Sequence, residues 1–283
     1  WERGLRESPE NAAYQGDRRF DDRWSDMSLA AIERREAADR EALAALRRID
    51  RAALSPADQL NYDTFAWLQE RTVARQKFRE YLQPVGHQGG VQTADGIAEL
   101  LPFANAQDYR NWIARLDALP ALVQQTTALM RAGLAAGSMP PKVLMQQVVE
   151  DPARSPFYKP LLKMPESIPA AEQEALRKQA REVIAGKVVP AYREFGRFFD
   201  QDYLPRARDS IAATDLPDGP AYYDFLAGWY TTTDLTAEQI HQAGLKEVAR
   251  SREEMEKVRQ EVGFKGDLQA FFQHLRTDPE FFY

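Results

Sequence analysis

The sequence predicts an all-α fold: a large array of helices, some of them long and kinked. Three observations carry this reading. Apolar residues recur at helical spacing along most of the 283 residues, caps and stops bracket those stretches, and strand-like alternation is almost missing.

Taken in order, Ser28 precedes a stretch in which Ile32, Leu43, Leu46 and Ile49 follow a helical period, with Arg and Glu filling the other faces. "SPADQLNYDTFAWLQERTVARQ" places Ser55 as a cap and Pro56 at the first helical position, where a missing N–H costs nothing. Asn105 should cap a helix carrying Tyr109, Trp112, Ile113, Leu116 and Val123. Pro120 is expected to kink it and Gly137 to end it. "AEQEALRKQAREVIAGKVVPAYREFGRFFDQDYL" aligns Leu176, Ala180, Val183, Ile184, Val188, Tyr192, Phe195 and Phe199 in one apolar stripe. At 1.5 Å per residue it would run about 50 Å, with a bend expected at Pro190. "KFREYL" is the one stretch that reads as extended, and the Pro and Gly residues from 84 to 90 mark a loop. The Pro-rich segment from Met139 to Pro169 reads as an irregular excursion. The whole of 1–283 is expected to form one helical region, with possible sub-blocks 1–138 and 170–283 on either side of that segment.

Bulk properties narrow the function classes. Apolar residues make up 44% and charged residues 28%, with a net charge of −6, as in an ordinary globular protein. No basic patch carries interleaved aromatics, so a nucleic-acid partner has no support. No apolar run reaches the roughly 18 to 20 residues of a transmembrane segment. Cysteine is absent, which removes disulfides, thiolate zinc sites and a cysteine nucleophile. The chain opens at Trp1 and closes on Phe281, Phe282 and Tyr283. Three aromatics there are expected to be buried, on this chain's helices or on further chain, and the sequence reads as a piece of a longer protein.

The chemical candidates are few. Glu238 and His241 stand three apart, as carboxylate-bridged metal bundles require, but Thr236 and Gln239 match a capping box that accounts for the same stretch. The cap is the better reading, and neither residue is expected to bind metal. His-Glu-x-x-His, a Gly-x-Ser-x-Gly elbow and a phosphate-binding loop are all missing. No catalytic residue and no metal ligand is therefore assigned. One loop is retained as a substrate-binding candidate: "QPVGHQGGVQ", in which His87 and Gln88 offer polar groups. Gly89 and Gly90 there permit close backbone approach to a peptide or carboxylate.

The stretches "SPENAAYQGDRRFDDRWSDMS", "IDRAALSPADQLNYDTF", "YRNWIARLDALPALVQQTTALMRAGLAAG", "SPFYKPL", "AYYDFLAGWYTTTDLTAEQIHQAGLKEV" and "GFKGDLQAFFQHLRTDPEFFY" resemble the bacterial family catalogued as domain of unknown function 885. The likeness spans essentially the whole chain and is most specific from Tyr222 to Val248. It implies the N-terminal portion of a helical, zinc-metallopeptidase-like hydrolase of roughly twice this length. The zinc motif would lie beyond residue 283, so no cofactor belongs to this chain itself. The resemblance also implies export to the periplasm, often with a lipoprotein anchor, a peptide substrate, and a C-terminal part as partner. The loop at 84–90 departs from the family, which often has Asn-Gln where Gly86-His87 stands here. A non-catalytic helical module that binds a peptide or protein is the alternative from another class.

Overall fold

The computed structural model describes residues 1–86, 89–145 and 156–282. The fold is all-α. Among the described residues, extended pairing is confined to two isolated bridges, Gly86 with Gly89 and Pro141 with Arg208. The chain forms two compact units, Trp1–Gly219 and Pro220–Tyr283. This replaces the expected sub-blocks 1–138 and 170–283. The helices after the Pro-rich segment bury their stripe against the one before it, so residues 170–219 belong to the first unit.

The first unit opens with two short helices, α1 (Glu2–Glu7) and α2 (Pro9–Tyr14), followed by α3 (Leu29–Leu46) and α4 (Pro56–Arg75). Ser28 caps α3 by accepting from Ala31 N, and Ser55 caps α4 by accepting from Asp58 N, both as the sequence predicts. "KFREYL" is not extended. It forms two 3₁₀ turns, Gln76–Phe78 and Glu80–Leu82, joined by Arg79 in the left-handed region. A single strand here would have no partner for its backbone groups, whereas tight turns satisfy them locally. A 3₁₀ stretch, Val91–Leu100, follows, kinked at Thr93 where the backbone leaves helical angles.

The core is built around α5 (Ala106–Ala136). Asn105 and Asp108 form a reciprocal capping box at its start, and Gly137, at φ 68°, ends it in the left-handed conformation. The helix runs on through Pro120 to Ala136, and Leu116, Leu119 and Val123 around that proline are buried. After a single turn, α6 (Lys142–Met145), a 3₁₀ segment at Pro156–Leu161 brings Phe157 into the core. Its carbonyl accepts the Trp112 indole N–H at 3.0 Å.

The predicted long stripe is present in three pieces: α7 (Ala170–Val183), a π-helical turn at Ile184–Val188, and α8 (Val189–Phe198). Leu176, Ala180, Ile184, Val188, Phe195 and Phe199 are buried, and Val183 and Tyr192 pack beside them. Pro190 has no N–H for an i−4 bond, and the backbone answers just before it. Val189 N reaches Ile184 O, one residue further back than in an α-helix. A second π turn, Phe199–Tyr203, precedes Pro205 in the same way. The aromatic rings of Tyr109, Phe103, Trp112, Phe157 and Tyr192 contact one another in that order, with centroids 5.1 to 6.2 Å apart.

The second unit contains α9 (Gly219–Thr231) from its second residue on, α10 (Ala237–Glu261) and α11 (Leu268–Thr277). The capping box at α10 is formed: Gln239 N donates to Thr236 Oγ1 at 3.2 Å, and Thr236 N donates to Gln239 Oε1 at 2.9 Å. Thr236→Ala is expected to cost about 1 kcal/mol, the usual loss for a helix cap. Urea denaturation checks this, and an unchanged midpoint would mean the cap contributes nothing. Phe271 is this unit's one buried large apolar side chain among the described residues. With so small a core, Phe281 and Phe282 stay 47% and 61% exposed, so this chain's own helices supply little of the expected burial, and Tyr283 lies outside the described residues.

Candidate functional site

The loop singled out by its glycines is held by the first unit's backbone. Gly86 N donates to Gly89 O at 2.9 Å, and Gln92 Nε2 donates to Gly86 O at 2.8 Å. Gly90 sits at φ 144°, and a Cβ there would lie 3.1 Å from both Pro84 O and Val85 Cα. Glycine is required at that position both for its backbone angle and for its space. His87 and Gln88 lie outside the described residues. Gly90 opens onto a cavity of about 370 Å³, while Gly89 does not line it.

The cavity's walls are apolar, with Trp24, Met27, Val91 and Leu122 among them, and a few polar groups reach it. Glu10 on α2 holds Ser25: its carboxylate accepts from Ser25 N at 3.0 Å and from Ser25 Oγ. The Thr93 hydroxyl donates to Gly90 O at 3.1 Å. Trp24 is fixed from behind, its Nε1 donating to Arg115 O at 2.7 Å and its ring lying 5.0 Å from the Arg115 guanidinium. Glu10, Trp24 and Ser25 were not picked out by sequence reasoning, although all three fall in the stretch that opens the family resemblance. The arrangement suits holding an apolar side chain beside a short polar edge.

The metal candidates do not gather into a cluster among the described residues. Glu238 Oε1 accepts from Gln242 Nε2 at 2.8 Å, one turn along α10, and His241 is exposed on that helix. His274 stacks on Phe264 with centroids 5.2 Å apart and pairs with Asp278 at 3.3 Å. Among the described residues no three His, Cys, Asp or Glu side chains gather as a metal site would need. The donors placed here do not fit a zinc ion.

The family profile described as "Bacterial protein of unknown function (DUF885)" matches residues 9–283. No curated protein matches the chain. Among solved structures, one described as a "putative lipoprotein" from Colwellia psychrerythraea superposes with a TM-score of 0.83 at 19% sequence identity. The match covers 98% of this chain and 52% of that one, so the chain spans about half the length of that relative. At this identity the likeness is one of fold. Among the described residues no helix is long and apolar enough to cross a membrane.

Proposed function

The chain belongs to the bacterial family of unknown function DUF885, and from that premise we propose that it is the scaffold and one cleft wall of a longer, exported zinc-dependent peptidase. The observation that carries the reading is the cavity beside Gly90, whose apolar walls and short polar edge suit a peptide side chain and its backbone. Two further observations support it. The similar solved structure continues for as much chain again. The long helix α10 buries none of its residues and leaves Leu245, Val248, Met255 and Val258 exposed, a surface that the rest of a longer protein would cover.

In this reading the zinc, with its power to polarise a carbonyl and activate water, comes from beyond residue 283. This chain's part is to bind and orient. The test compares the complete protein with the 1–283 chain in elemental analysis and in hydrolysis of a peptide library. The complete protein is expected to hold one zinc and to lose hydrolysis on chelation, and the shorter chain to hold none. His241→Ala in the complete protein should leave its zinc content unchanged. Stoichiometric zinc in the short chain, or loss of zinc in that variant, would overturn the reading. A complete protein that binds peptides without cleaving them would instead support the non-catalytic binding module.

A further inference from the structure

The 3₁₀ segment Val91–Leu100 has two working sides. Val91, Thr93, Ala94 and Ile97 face the cavity described above, whereas Asp95, Ala98 and Glu99 line a second, larger cleft of about 600 Å³. Asp95 and Glu99, four residues apart on that segment, bring two carboxylates to the cleft. Lys159 and Lys163, from the Pro156–Leu161 segment and the turn after it, bring two ammonium groups. Phe103, Tyr109 and Met164 supply apolar surface in the same cleft.

Two features bear on what this cleft can hold. None of the four charged side chains has a hydrogen bond or ion pair among the described residues, although Asp95 and Glu99 share a cleft with two lysines. Some other charges on the same unit do pair, as Arg110 does with Glu172 and Lys187 with Asp117. Phe103 is also held at φ 44°, in the left-handed region that a bulky residue rarely adopts. Strain of that kind persists only where surroundings hold it, and it concentrates at ligand-contacting positions. Its ring is fixed by Tyr109 at 5.1 Å and by Trp112, edge-on, at 6.0 Å.

We propose that this cleft is a binding site for a small zwitterion with an apolar or aromatic body, of the size of a dipeptide. The ligand's ammonium group lies against Asp95 and Glu99, its carboxylate against Lys159 and Lys163, and its body on Phe103 and Tyr109. The site stands apart from the cavity beside Gly90 and needs no hydrolysis, so it holds whether or not the longer protein is a peptidase.

The probe is 4-(aminomethyl)phenylacetic acid, which carries both charges on an aromatic body and has no peptide bond to cleave. Its N-acetyl and methyl-ester derivatives each remove one charge. Calorimetric titration of the complete protein at low salt should show binding of the free zwitterion, with each derivative weaker by roughly fivefold, as expected for a partly solvated ion pair. Added salt should erode the difference. Lys159→Gln with Lys163→Gln should weaken the free zwitterion and the N-acetyl form but leave the ester unchanged. Asp95→Asn with Glu99→Gln should show the converse pattern. These are surface changes, and an unchanged thermal midpoint confirms that each variant is folded. No binding of the free zwitterion, equal affinity for all three compounds, or charge variants that fail to follow this pattern would each overturn the site.

Discussion

Replacing Arg115 with Ala is expected to cost about 3 to 5 kcal/mol, and replacing it with Met far less, within roughly 1 kcal/mol of the parent or better. Arg115 lies in the middle of α5 and is fully buried. Its Nη2 donates to Phe20 O at 2.9 Å and its plane lies against Trp24, but Nε and Nη1 have no partner among the described residues. Burial holds its pKa below the ordinary arginine value, with Glu10, Asp21 and Asp22 pulling the other way. Alanine would remove the packing and leave a cavity behind Trp24. Methionine keeps most of the volume and removes a charge whose desolvation is only partly compensated. Asp21 supplies a second readout. Its buried carboxyl is held above the usual carboxylate range by desolvation, opposed by the charges of Arg18 and Arg115. A carboxyl with a raised folded-state pKa takes its proton more readily when folded, so it adds stability as pH falls through that value. Losing Arg115 raises it further. The Met variant should therefore gain more stability than the parent between pH 7 and the ordinary aspartate value of 3.8. Urea denaturation at both pH values measures this. A Met variant as damaged as the Ala variant would show that the guanidinium itself stabilises the core.

The contrast between Arg115 and the helix caps shows what a sequence can disclose. Ser28, Ser55, Asn105 and Thr236 act on backbone groups two or three residues away, so each cap is legible from its neighbours, and each is formed. The stripe from Leu176 to Phe199 is legible for the same reason, since helical periodicity is local. Arg115 donates to a carbonyl 95 positions away, and nothing in "WIARLDALP" distinguishes it from a solvated arginine. The candidate site divides along the same line. Gly90's backbone angle and tight space select glycine locally, so the shape of the loop is legible there. Glu10, Trp24 and Ser25 reach the cavity only through tertiary packing. The left-handed Phe103 gave no signal, since strain is sustained by surroundings rather than by sequence. The π turns before Pro190 and Pro205 carried no signal beyond the prolines themselves: a widened turn accommodates the missing N–H without breaking the buried stripe.

Gly133→Ala is expected to destabilise the first unit by about 1 to 3 kcal/mol, although alanine is intrinsically the better helix former by about 1 kcal/mol. Gly133 is buried in the last turns of α5, where a Cβ would lie 2.4 Å from Leu82 O and 3.1 Å from Ser138 O. Both neighbours are backbone and cannot turn aside as a flexible side chain would. Ser138 N donates to Gly133 O at 2.9 Å as the helix ends, and Gln83 Nε2 donates to Ser138 Oγ at 2.9 Å. Displacing Leu82 therefore pulls on Gln83 and Pro84, the residues that lead into the loop at 84–90. Gly196 provides the control. It lies inside α8, and a Cβ there meets nothing within 4 Å, so Gly196→Ala should stabilise by about 0.5 to 1 kcal/mol. The same substitution is thus expected to act with opposite signs on two helices of one unit. Denaturation of the two variants side by side decides it. Two gains would mean that α5 and the Leu82 turn separate at little cost, and the packing that positions the candidate loop would then be looser than described.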